Sequence, residues 1–180
     1  NTLRKMAEAF SNSLTRAAGI VTTATGGIIG ITTNLITGIS TTGIGVSDLV
    51  VNANYIAGSK VTIIGVSSVT IDRDSTNITA TTNQVLSFLG PTTAFTSADA
   101  TKTILIGGTF ANNTDSSVNL TVETRDSSAG VDAAIASKIP VPAGSSFVIT
   151  DVGKTLLEGT DEIRVYCDSN NAIDVNLSLL

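Results

Sequence analysis

The residues that could do chemistry in this 180-residue chain are nearly all acidic. Asp72 and Asp74 flank Arg73, Asp161 adjoins Glu162, and Asp168 and Asp174 lie on either side of a polar turn. Paired carboxylates serve acid–base catalysis, or bind calcium when several oxygen ligands recur about a glycine turn. None of these pairs belongs to so dense a series, so each reads as a turn residue accepting backbone hydrogen bonds. The chain has no His, which removes Ser-His-Asp and Cys-His catalysis and imidazole zinc sites. Cys167 is the single cysteine. It shares an apolar strand face with Ile163 and Val165 and reads as a small buried residue. The expectation is no enzyme activity, no catalytic residue, no metal and no cofactor.

The elements that carry these residues read as strands. Ile163, Val165 and Cys167 alternate with Arg164, Tyr166 and Asp168. After the polar turn at 168–171, Ile173, Val175, Leu177 and Leu179 alternate with Asp174, Asn176 and Ser178. This period of two predicts a final hairpin buried on one face. Upstream, Thr103-Ile104-Leu105-Ile106, the alternating run 118–122, residues 146–150 and residues 154–158 are further strands. Residues 126–137 read as a loop or short helical turn. Together, 101–180 predicts an antiparallel β-sandwich of immunoglobulin-like or jelly-roll-like type.

Residues 20–90 predict a small Gly/Thr-rich, barrel-like β-domain. Short Ile/Thr steps are broken by Gly every few residues, which suits tight corners and bulges. A phosphate-binding loop is excluded because no Gly-Lys-Ser/Thr follows. Residues 60–72 read as a hairpin and 84–89 as a closing strand. Pro91 lacks a backbone donor, so 91–100 is read as a linker. Ahead of all this, Leu3, Met6, Ala7, Phe10 and Leu14 recur at three and four residues. That spacing, with Thr2 as N-cap and Gly19 as terminator, predicts a docking helix within residues 1–19. Its apolar stripe of Leu3, Met6, Phe10 and Leu14 is the candidate assembly interface.

Composition narrows the function classes. Charged residues make up only 14% and aromatics 4%, with no Trp, and the net charge is −5. A surface of hydroxyls and amides with so few charges suits subunits packed in large assemblies. No basic footprint for phosphates is present, so no nucleic-acid partner is expected. No apolar run is long enough to cross a bilayer, and no targeting segment is read at the start.

Two stretches resemble known proteins. Thr37-Gly38-Ile39-Ser40-Thr41-Thr42-Gly43 and Ile56-Ala57-Gly58-Ser59-Lys60-Val61-Thr62-Ile63-Ile64-Gly65 are similar to a module of tailed-bacteriophage virion proteins. Ser68-Val69-Thr70-Ile71, Thr76-Asn77 and Leu86-Ser87-Phe88 continue that likeness. Ile139-Pro140-Val141-Pro142-Ala143-Gly144-Ser145 followed by Glu162-Ile163-Arg164-Val165-Tyr166 resembles small sandwich domains of phage accessory proteins. The resemblance implies a structural virion protein of the neck, tail or head surface, with copies of itself and other virion proteins as partners. The alternatives are a host-surface or glycan-binding module of a tail fibre, or a secreted bacterial adhesin fragment. For glycan binding, the exposed-loop candidates are Asn112, Asn113, Asp115, Asn170 and Asn171.

Overall fold

The computed structural model describes residues 9–150 and 154–180. The chain is mainly β, and the described residues contain no α-helix. The expected N-terminal helix is therefore overturned. Residues Ser11–Ala18 form β1, which pairs antiparallel with the last strand from Ser11 opposite Leu179 to Thr15 opposite Val175. Ser, Asn and Thr in this stretch are weak helix formers because their side chains compete for the backbone. The open edge of the last strand, with a full row of unpaired backbone groups, offers each of these residues a ladder partner. The helical stripe of Phe10 and Leu14 is a coincidence of spacing. Leu3 and Met6 lie outside the described residues.

The next strands are β2 (Ile20–Ile29), β3 (Leu35–Thr37), β4 (Leu49–Val51), β5 (Val61–Ile64), β6 (Ser68–Ile71) and β7 (Thr81–Gly90). After them come β8 (Thr92–Thr96), β9 (Thr103–Asn112), β10 (Val118–Asp126), β11 (Val131–Val141), β12 (Ser146–Ile149), β13 (Thr155–Leu157), β14 (Glu162–Cys167) and β15 (Ile173–Leu179). The chain divides into two compact units. One comprises Asn1–Ala18, Thr93–Val165 and Ala172–Leu180; the other comprises Gly19–Thr92 and Tyr166–Asn171.

The Gly19–Thr92 unit is built on a six-stranded antiparallel sheet in the order β4-β7-β2-β3-β6-β5. Its two ends meet. Leu49 bridges Lys60, the Val61 N–H donates to the Asp48 carbonyl (3.0 Å), and the Ser47 and Val50 N–H groups donate to the carbonyls of Val61 and Ser59 (2.9 Å each). The sheet thus closes into a barrel, which removes its edges. Ile29, Ile36, Val69, Ile71, Leu86 and Phe88 fill the interior with Tyr55. Gly19 sits at the junction of β1 and β2 with φ +123°, and a Cβ there would lie 2.3 Å from the Ser169 carbonyl oxygen. Its role is to admit that carbonyl, not to end a helix.

The other unit holds two antiparallel sheets. One runs β1-β15-β9-β12, with β13 also paired to β9; the other runs β11-β10-β14-β8. The expected terminal hairpin does not form, because β14 and β15 belong to different sheets. Alternation identifies each as a strand, but it does not name the partner, and Tyr166 on the expected polar face of β14 is fully buried. β15 fills its ladder with β9 and β1. Two further readings are corrected. β8 occupies half of the expected linker, and β11 occupies most of the stretch read as loop or helical turn.

Side-chain devices act at two edge strands. On β8, the Ala94 carbonyl accepts the Ser13 and Thr15 hydroxyls of β1 (2.9 and 3.2 Å). On β11, Pro140 lacks a donor, and Lys138 sits at φ 51° near a register shift. A proline, a charge and a bulge on an edge strand all discourage strand addition.

Candidate interaction surface

Asp72, Asp161 and Glu162 are occupied by backbone donors or an ion pair. Asp72 Oδ1 accepts the Lys60 N–H at 2.8 Å, and Oδ2 lies 3.7 Å from Arg73. Asp161 is buried; its Oδ1 accepts the Ser127 N–H (3.1 Å) and its Oδ2 the Glu158 N–H (2.9 Å). Glu162 pairs with Arg164 at 2.6 Å along β14. No group of three or more His, Cys, Asp or Glu side chains converges as metal ligands among the described residues. The Cys167 side chain is fully buried, and burial pushes its thiol up. A raised thiol has little thiolate character, so it is a poor nucleophile.

The loop candidates divide by environment. Asn112 is buried rather than exposed, at 1% relative accessibility. Its Nδ2 donates to the carbonyls of Ser116 (2.8 Å), Val141 (2.9 Å) and Pro142 (3.1 Å), and its Oδ1 accepts the Thr114 N–H and hydroxyl. It is a clamp for loop 112–117, on which Asn113 and Asp115 are exposed. Asn170 and Asn171 are exposed in the other unit. Asn170 Oδ1 accepts the Val21 N–H at 2.7 Å, and the Asn171 N–H donates to Gly19 at 3.0 Å. The aromatic nearest in sequence to that second loop is Tyr166, which is fully buried. Its hydroxyl donates to the Ser47 carbonyl (3.3 Å), and Lys60 Nζ stands 5.5 Å over the ring. It offers no open face for a sugar.

A groove of about 430 Å³ lies on the β1-β15-β9 sheet, lined by Leu14, Arg16, Thr109, Ala111, Asp174 and Asn176 together with Thr15 and Val175. Its construction follows from strand periodicity. On β15, Ile173, Val175, Leu177 and Leu179 point inward and are buried, which sends Asp174, Asn176 and Ser178 to the other face. On β1, Ser13 and Thr15 are half-buried and bond to β8, which sends Leu14 and Arg16 outward. Leu14 stands opposite Asn176, Asn176 opposite Thr109, and Thr109 opposite Val148. The floor is low because β9 contributes only Thr109 and Ala111 there.

A bulge shapes one end. The β1–β15 register shifts between Thr15 and Ala18, and Ala17 takes φ 58°. Its N–H donates to Asp174 Oδ1 at 2.8 Å. Bulges of this kind re-aim the neighbouring side chain, here Arg16. The groove therefore presents an exposed Leu, a cation and a carboxylate around a small-residue floor. It holds no nucleophile–base pair. Its chemistry is non-covalent: a slot for an apolar side chain with a charge of each sign beside it.

Of the predicted interface residues, Leu14 reaches this groove, and it is 73% exposed; Phe10 precedes β1 and is 80% exposed. Arg16, Thr109, Ala111 and Asn176 escaped the sequence reading, and Asp174 entered it only as a carboxylate beside the last turn. Asp174 and Asn176 were visible as the polar alternates of β15, but their neighbours depend on which strand pairs with β15. Comparison with family models, curated proteins and solved structures finds no match to this chain.

Proposed function

We propose that this chain is a non-enzymatic structural component of a tailed-phage virion, an accessory protein of the neck, tail or head surface. It acts by symmetric assembly with copies of itself and other virion proteins. The observation that carries the reading is the large apolar side chains left open on strand faces. Leu14, Val148 and Leu156 are exposed in one unit, and Ile28, Leu35 and Ile63 in the other. Ile63 and Leu35 both stand opposite Thr70, so they share one sheet face. At the β5–β6 turn, Val66 is 99% exposed. Apolar side chains exposed together on a strand face are candidate interaction surface, and only 14% charged residues leave little repulsion to hold partners apart. Repetition by symmetry multiplies weak contacts into stable attachment. The phage assignment itself rests on the motif likeness at residues 37–43 and 56–65.

The test is immunogold electron microscopy of purified virions from the source culture, using antibody raised against the recombinant chain. Regular labelling at one structural position is the expected result. Virions without label, together with a small molecule turned over by the pure protein, overturn the reading.

A further inference from the structure

The outer face of the β1-β15-β9-β12 sheet matches itself. We propose that it closes on the same face of a second copy about a two-fold axis. Leu14 of each copy sits in the other's groove, and Arg16 of each copy meets Asp174 of the other. This inference rests on the assembly reading above and names its contact.

Charge is the first argument. The chain carries −5 overall, so contact between copies is favoured where the touching surface is locally neutral. The groove is balanced, since its charged residues are one Arg and one Asp. In a two-fold interface, residue i meets j and j meets i. A patch holding one charge of each sign can therefore satisfy both charges at once. Asp174 Oδ1 is taken by Ala17, which leaves Oδ2 for a cation.

Shape and size are the second. Leu14 projects from β1 beside a depression floored by Thr109 and Ala111, so each copy supplies both the knob and the slot. β15 has seven residues and spans about 24 Å, while four strands span about 19 Å. The face is thus roughly 450 Å² in projection, and a pair covers about 900 Å², the range of weak, reversible association. Such a contact suits a subunit that gains its hold from repetition.

The experiment is analytical ultracentrifugation of the whole chain from micromolar to millimolar concentration. The wild type is expected to show a concentration-dependent dimer. Arg16→Asp places like charges across the axis, as does Asp174→Arg, and each weakens dimerisation by more than about tenfold. An equimolar mixture of these two variants restores the dimer, because each copy then faces its opposite. Leu14→Glu, at a position too exposed to affect folding, also abolishes it. A wild type that self-associates unchanged in all variants overturns this contact and leaves the assembly reading standing. A wild type that stays monomeric throughout also overturns this contact, while the virion reading stands or falls separately on the labelling experiment.

Discussion

Asn112→Ala tests whether loop 112–117 is a held scaffold or a free recognition loop. The two amide hydrogens are shared among three carbonyls, and the amide oxygen accepts two hydrogen bonds. Three of the groups it serves keep other bonds. The Ser116 carbonyl accepts from the Thr114 hydroxyl, which itself serves as that donor, and the Pro142 carbonyl accepts from the Ser145 N–H. The other two lose a bond. The Thr114 N–H is left without its acceptor, and the Val141 carbonyl, in the β10–β11 ladder, loses its 2.9 Å donor and keeps the Ser117 hydroxyl at 3.4 Å. At about 1–3 kcal/mol for a stranded donor and about 0.5–1.5 kcal/mol for a lost hydrogen bond, the loss is about 3 kcal/mol. For a chain of this length that lowers Tm by about 6–12 °C. Urea denaturation followed by circular dichroism measures it. Asn112→Asp separates hydrogen bonding from volume. A carboxylate there confronts three carbonyl oxygens, so its folded-state pKa rises above the unfolded value of about 3.9. An acid raised in the folded state penalises folding as pH climbs through the unfolded pKa, and the penalty disappears below it. Asn112→Asp is therefore worst at neutral pH and recovers in acid, whereas Asn112→Ala is flat with pH. A loss below about 0.5 kcal/mol for the alanine variant, smaller than one net hydrogen bond, refutes the clamp.

Three further predictions concern the barrel unit. Gly19→Ala sets a Cβ 2.3 Å from the Ser169 oxygen at φ +123°, and costs about 2–4 kcal/mol in thermal or urea unfolding; an unchanged midpoint contradicts the close approach. Burial raises the Asp48 carboxyl against the single backbone donor of Gly45, so the folded state loses stability as pH rises above the ordinary carboxylate range. Asp48→Asn is then more stable than the wild type at pH 7, with the gap closing in acid, as urea midpoints at the two pH values will show. Cys167 is buried with its thiol pushed up, so a chromogenic disulfide reagent labels it only in denaturant; rapid native labelling at neutral pH contradicts that burial.

The amino-acid sequence by itself determined the class of the protein and much of its strand content. Hydroxylated and β-branched residues at a period of two commit β6, β10 and β15 to strands wherever they pair, because burial on one face needs only alternation. The lack of His and the single Cys likewise settle which catalytic groups are absent without any fold. Tertiary structure decided which strands are neighbours. β1 carries both a helical stripe and a strand alternation, and the unfilled edge of β15 selected the second. β14 and β15 look like a hairpin from their spacing but part into separate sheets, since alternation is blind to the partner. The groove follows from that choice: Leu14 and Arg16 meet Asp174 and Asn176 only because β1 docks on β15 in one register. Asn112 belongs to the same lesson. Its polar, loop-like neighbourhood reads as exposed, but three backbone carbonyls distant along or across the chain converge on it, and only the folded backbone brings them there.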